Sequence, residues 1–282
     1  MNKKGLLKKT GALLLTGTLA LGAIGFANAN TQNDEFKIGN KFTVSDLKMG
    51  DKAYVVDYKS EDVTGDNIKD NVILVGTKEI SDIFCDTLTV VVQDGKTKEY
   101  SKATYENFSG YQDEEMLFIG DFDGDKVKDV MVSAPTGGSG GVVEHMIAAF
   151  KDNKPHIIFT DKENTGVDIA GKYIDGYKVE IEFKNLNKKI ALDVSANKKS
   201  YKEEGIYNDN GKLLKELKPW INPFSKLEAI EYDGDGTFEL RGYQKIAGSC
   251  NADTISYVES ILKFENNKWN TKEIQYSTFL VK

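Results

Sequence analysis

Asp121-Phe122-Asp123-Gly124-Asp125-Lys126-Val127-Lys128-Asp129 runs directly into Val130-Met131-Val132-Ser133-Ala134. Alternating acids around a glycine read as a tight loop, and the apolar run behind them reads as a strand. The same order recurs twice. Asp62-Val63-Thr64-Gly65-Asp66-Asn67-Ile68-Lys69-Asp70 precedes Asn71-Val72-Ile73-Leu74-Val75, and Glu231-Tyr232-Asp233-Gly234-Asp235-Gly236-Thr237-Phe238-Glu239 precedes Leu240-Arg241-Gly242-Tyr243. Loop positions 1, 5 and 9 are acidic in all three, position 4 is glycine and position 3 carries a side-chain oxygen. This is one unit used three times.

The likeness extends past each strand. A variable connection (76–86, 135–141 and 247–253) leads to an apolar segment and then a tight turn at 93–96, 151–154 or 265–268. Asp-Gly and Asn-Asn pairs between apolar runs are hairpin signals, because these residues accept positive φ at low cost. Each unit is therefore expected to run strand, acidic loop, strand, connection, strand, turn, strand. The loops begin at 62, 121 and 231, so the second interval is close to twice the first and implies a fourth unit without an acidic loop. Residues 161–217 fill that gap and look like sheet. Val179, Ile181 and Phe183 alternate with Glu180, Glu182 and Lys184, and Ile190, Leu192 and Val194 repeat the period.

Helical periodicity with caps is nearly absent, so the fold class is all-β. Four-stranded units repeating at this interval predict a small or incomplete β-propeller-like array of about four units, near 54–110, 111–160, 161–224 and 225–282. An irregular β-sandwich carrying three similar turns is the alternative.

Carboxylates at alternating loop positions converge oxygens on one point, which suits hard Ca²⁺ better than Mg²⁺ with its stricter octahedral demand. The expected ligands in the second loop are Asp121, Asp123, Asp125 and Asp129 with the Val127 carbonyl. In the first they are Asp62, Thr64, Asp66 and Asp70 with the Ile68 carbonyl. In the third they are Glu231, Asp233, Asp235 and Glu239 with the Thr237 carbonyl. Charge count ranks the second loop tightest, with affinities in the weak range of extracellular modules. The competing explanation is that Asp and Gly merely build solvated turns.

These loops resemble the calcium-binding loops of FG-GAP and VCBS repeats, found in integrin-α-type β-propellers and in many secreted bacterial proteins. The resemblance covers roughly Tyr54 to the C-terminus, with three clear units and one degenerate. It implies calcium and a repeat-built β fold, and no substrate. Two departures stand out: the Phe-Gly…Gly-Ala-Pro signature is missing, and Lys126 occupies loop position 6, where glycine is usual. The chain is also too short for seven integrin-like blades.

Residues 1–29 read as a secretory signal: Lys3, Lys4, Lys8 and Lys9, an apolar run from Gly11 to Phe26, then Ala27-Asn28-Ala29. A mature chain starting near Asn30 would carry an N-terminal segment, 30–53, ahead of the repeat domain, 54–282. No later stretch approaches the roughly 18 apolar residues of a membrane span. A net charge of −7, made more acidic by removal of the four lysines, argues against nucleic acid. The expected location is outside the cytoplasm, secreted or held at a cell surface or spore exterior, with a protein or polysaccharide ligand there.

Cys85 and Cys250 are too few for a disulfide scaffold. They fall in equivalent connections of the first and last units, and ring closure would bring those units together, so a disulfide between them is a hypothesis. Little supports catalysis. The two histidines, His145 and His156, lack zinc-like spacing, and Gly137–Gly141 matches neither a phosphate loop nor a nucleophile elbow. A binding or structural module is preferred, with Tyr105, Tyr111, Trp220 and Trp269 as contact candidates. A secreted, glycosidase-like hydrolase with a carboxylate pair is the alternative.

Overall fold

In the computed structural model, residues 34–279 are described; the signal-like segment 1–29 lies outside them. The first unit supplies β1 (Ala53–Glu61), β2 (Asp70–Thr77), β3 (Phe84–Cys85), β4 (Thr87–Gln93), β5 (Tyr100–Ala103) and β6 (Gly110–Tyr111). The second supplies β7 (Leu117–Gly120), β8 (Asp129–Pro135), β9 (Val143–Ala149) and β10 (His156–Phe159). Next come β11 (Ile169–Ile174), β12 (Lys178–Phe183) and β13 (Lys188–Asp193). The chain finishes with β14 (Trp220–Ile230), β15 (Glu239–Ala247), β16 (Thr254–Glu265) and β17 (Lys268–Thr278). The longest α-helix among the described residues is Lys198–Glu203, and no helix there is long and apolar enough to cross a membrane.

The fold is all-β. Three sheets are four-stranded meanders, β1-β2-β4-β5, β7-β8-β9-β10 and β14-β15-β16-β17, and each acidic loop joins the first two strands of its sheet. The hairpin turns fall where the sequence places them: Asn266 and Asn267, at φ 55° and 59°, join β16 to β17. The unit without an acidic loop is a three-stranded sheet, β11-β12-β13, in which Val179, Ile181 and Phe183 are buried on one face. A short ribbon pairs β3 with β6. Among the described residues the five antiparallel sheets are separate and none closes on itself; no ring of blades is shown, and the irregular β-sandwich alternative fits this arrangement.

The sheets pack face to face in series. Val72, Leu74, Val90 and Val92 of the first sheet meet Val130, Val132, Met146 and Ala148 of the second. The opposite face of the second sheet, with Met131 and Ile147, meets Phe224, Leu240, Leu262 and Phe264 of the last. Burial on both faces explains why β8 and β9 read as near-continuous apolar runs, each buried side chain contributing about 1.5–3 kcal/mol. Ile246, Ile255 and Val258 of the last sheet pack with Tyr173, Val179 and Ile181 of the third. The segment before β1 is part of the core: Phe36 and Phe42 cover Val55, Ile73 and Val91 on the outer face of the first sheet.

A register shift in β1 between Val55 and Asp57 turns the Asp57 carboxylate inward, where its Oδ2 accepts from Met116 N at 2.9 Å and Leu117 N at 2.8 Å. That pair of bonds ties the start of β7 to the first sheet. Gln244 does the same between the last sheet and the segment ahead of β11, accepting from Val167 N at 2.6 Å and donating to Thr165 O at 3.1 Å.

Candidate metal centre in the acidic loops

The acids at loop positions 5 and 9, and at position 1 of the first two loops, first serve the backbone. Asp121 accepts from Gly124 N at 2.7 Å and Lys126 N at 2.9 Å, and Asp62 makes the matching bonds to Gly65 N at 2.7 Å and Asn67 N at 2.8 Å. At position 5, Asp66, Asp125 and Asp235 each accept from the amide two residues on, at 2.8 Å in every loop. At position 9, Asp70, Asp129 and Glu239 accept from Val63 N, Phe122 N and Tyr232 N at 2.8–2.9 Å. These bonds hold loop amides that no strand can satisfy. Position 6 is left-handed throughout, with Asn67 at φ 66°, Lys126 at 69° and Gly236 at 86°, so lysine adopts in the second loop what glycine does freely in the third.

The three loops lie next to one another. Thr64 O accepts from Asp152 N of the second unit's hairpin at 3.0 Å, and Asp121 O accepts from Phe238 N of the third loop at 2.7 Å. Below the second and third loops, Phe118, Phe122, Phe238 and Trp269 form an aromatic layer with ring centroids 5.2–6.3 Å apart. Position 9 of these two loops, Asp129 and Glu239, is buried.

Position 9 separates the loops. Asp70 is fully buried and saturated by the chain: besides Val63 N, Thr64 N donates at 3.0 Å, and Gly95 N of the unit's own hairpin donates at 2.8 Å. Asp62, Asp66 and Asp70 accordingly form no convergent acidic group. Thr64, expected as a ligand, spends its hydroxyl on Asp70 at 3.4 Å.

In the second loop, Asp121, Asp123 and Asp129 bring ligand oxygens within 4.8 Å of one another, with Asp129 buried. Burial pushes the Asp129 carboxyl up to about 8; the bond from Phe122 N opposes this, and Asp123, Asp121 and Asp125 add to it. Asp123 is raised for the same leading reason, its burial. Asp125 is drawn outward to Lys151 Nζ at 2.9 Å and does not join the group.

In the third loop Asp233, Asp235 and Glu239 converge in the same way, while Glu231 is exposed and stands apart. Here an ammonium is already present. Lys263 Nζ of β16 lies 2.5 Å from Asp233, 2.6 Å from Asp235 and 2.8 Å from Glu239. Hydrogen bonds from Lys263 push Asp235 down to about 2, and the three carboxylates raise Lys263 itself above the ordinary lysine range.

Sequence reasoning missed Lys263, although its place can be counted. Leu240 pairs with Leu262 across β15 and β16, so Lys263 continues the register opposite Glu239. The same count from Val130 and Ala148 puts Ala149 opposite Asp129, and from Asn71 and Gln93 it puts Asp94 opposite Asp70.

The disulfide hypothesis is corrected: Cys85 and Cys250 are both free. Cys85 is buried against Gly76 and Val56, where burial pushes its thiol up to about 11, while Cys250 is exposed in the connection between β15 and β16. His145 is buried and bonded through Nδ1 to Asn164 Oδ1 at 3.0 Å, and burial pushes it down to about 4. Trp269 Nε1 donates to Ile158 O at 2.8 Å, and Tyr105 is half-buried against Glu144, so both serve packing. Trp220 and Tyr111 are exposed.

Residues 167–277 match the family described as the YybI C-terminal domain. The chain is also similar to the uncharacterized protein YybI of Bacillus subtilis (strain 168), with 34% identity over 222 residues, covering 78% of this chain and 83% of that protein. Both findings overturn the resemblance to VCBS and FG-GAP repeats, drawn over roughly Tyr54 to the C-terminus: its acidic loops are largely a backbone-capping device, and the similarity that spans most of the chain is to YybI.

Proposed function

The chain belongs to the YybI family, and we propose, from its acidic loops and its signal-like N-terminus, a secreted, calcium-stabilised β protein that acts by binding at the cell surface, wall or spore exterior. The observation that carries the calcium part is the second loop. There, three carboxylates converge and the innermost, Asp129, is buried with an alanine across the ladder. The donors are all hard oxygens, which suits Ca²⁺, with Asp121, Asp123 and Asp129 holding it. A bound divalent cation would offset the burial, and the lesser mutual repulsion, that raise Asp123 and Asp129 and would fasten the loop between its two neighbours. The units are taken as copies of one repeat, an expectation supported by the four-stranded order common to the three that carry an acidic loop.

Binding is favoured over hydrolysis. The last sheet carries an open groove of about 540 Å³ lined by Ser225, Lys226, Tyr243, Tyr257, Glu259 and Ser277, whose tyrosines and mixed polar groups suit a polysaccharide or a protein segment. Glu273, in the adjoining hollow with Glu259, is held below the usual carboxylate range by Tyr232, whereas a general acid for glycoside cleavage needs a raised one.

Thermal unfolding of the chain from Asn30 in EGTA, Mg²⁺ and a Ca²⁺ series tests the calcium reading. The melting temperature is expected to rise with Ca²⁺ and not with Mg²⁺, and Asp123→Asn should abolish the rise. No shift at millimolar Ca²⁺ would reduce the second loop to a turn.

A further inference from the structure

We propose that the third loop's cation is the protein's own Lys263 ammonium, and that the residue across the ladder from loop position 9 decides whether a loop is open to a metal ion. Three observations carry this. Lys263 Nζ makes contacts of 2.5–2.8 Å to Asp233, Asp235 and Glu239, the group that matches Asp121, Asp123 and Asp129 in the second loop. Its side chain is only 13% exposed, and it reaches the fully buried Glu239 as well as the more open Asp233 and Asp235. The loop is otherwise built like its siblings, with position 5 and position 9 bonded to the same amides. A monovalent tethered cation supplies the charge that a divalent ion would supply, and it cannot be removed by a chelator.

The second and third loops differ at that residue, and the first is closed by the amide next to it. Opposite position 9 the first loop has Asp94, whose hairpin delivers Gly95 N to Asp70, so backbone donors fill the site. The second has Ala149, which brings no charge and no donor. The third has Lys263. A lysine on β16 also ties that strand to the loop between β14 and β15, fixing the loop without an ion.

The part concerning the second loop rests on the calcium reading above; the part concerning Lys263 does not, and the experiment separates them. Ca²⁺ binding by equilibrium dialysis and unfolding in EGTA would be measured for Asp123→Asn, for Asp123→Asn with Lys263→Ala, and for Ala149→Lys. Removing Lys263 in the Asp123→Asn background should lower the melting temperature in EGTA and create a Ca²⁺ site at least tenfold tighter than any in Asp123→Asn alone. Ala149→Lys should weaken Ca²⁺ binding at least tenfold while raising the melting temperature in EGTA. If Lys263→Ala gains no Ca²⁺ binding, or if Asp233→Asn removes a bound ion from the otherwise native chain, the proposal is wrong. Should Lys263→Ala fail to fold, reductive methylation of the native chain with peptide mass spectrometry decides. Lys263 is expected to stay unmodified with and without Ca²⁺, and Ca²⁺-accelerated modification would mean that a metal displaces it.

Discussion

The second and third loops share their amide-to-carboxylate bonds at positions 5 and 9 and each gather three acids, yet they meet opposite electrostatic fates. Asp129 faces Ala149 and is pushed up to about 8 by burial and its acidic neighbours; Glu239 faces Lys263, which draws Asp235 down to about 2. An acidic loop therefore carries two separable messages. The spacing of its acids states how the backbone is held, and the residue on the neighbouring strand states whether any charge is left for an ion.

The largest test of this contrast uses position 9 itself. Asp70→Asn replaces an acceptor saturated by Val63, Thr64 and Gly95 amides with a group that must turn a donor toward one of them, and it should cost about 3 kcal/mol by chemical denaturation. Asp129→Asn keeps an acceptor for Phe122 N and removes the repelled charge, so in EGTA it should raise the melting temperature, and in Ca²⁺ it should lower it. Equal losses at both positions, independent of Ca²⁺, would erase the distinction between the loops.

Titration sharpens the contrast next. A buried carboxyl raised to about 8 stabilises the fold below its unfolded pKa and loses that contribution as pH rises toward 8, whereas Asp235 stabilises above its unfolded value and loses its contribution only as pH falls toward 2. His145, depressed to about 4, adds a loss of stability as pH falls from 6.5 toward 4, so it opposes the Asp129 slope in that range and is silent above it. Between pH 6.5 and 8 in EGTA, stability should fall by about 2 kcal/mol, and the fall should disappear in Asp129→Asn. A flat profile in the native chain would show that the Asp129 charge is already compensated.

The smallest effect concerns position 6. Lys126 adopts φ 69° where the third loop has Gly236, so Lys126→Gly should stabilise the chain by about 1 kcal/mol, with and without Ca²⁺ alike. A gain seen only with Ca²⁺ would mean that the ion, and not the backbone, sets this conformation.

Much of the fold was legible because its signals are local. The acidic loops, the apolar strands behind them and the Asn266-Asn267 turn each declare themselves within a few residues, and the alternation of Val179, Ile181 and Phe183 located a sheet without any loop to mark it. The ring and the disulfide depended on how distant units meet, which no spacing encodes, and Cys85 is buried while Cys250 is exposed and unpaired. The site was half legible. Asp121, Asp123 and Asp129 come together, while Asp125, expected beside them, pairs with Lys151 instead. Lys263 lies 24 residues beyond Glu239 and enters only through strand register, and the acids of the first loop are spent on amides that no ligand pattern takes into account.

The most direct measurement is a count of Ca²⁺ ions bound per chain at saturation, by equilibrium dialysis, for the native sequence and for Asp123→Asn. One ion in the native chain and none in the variant is the predicted result. Two or more ions in the native chain, or one ion retained after Asp123→Asn, would contradict the account.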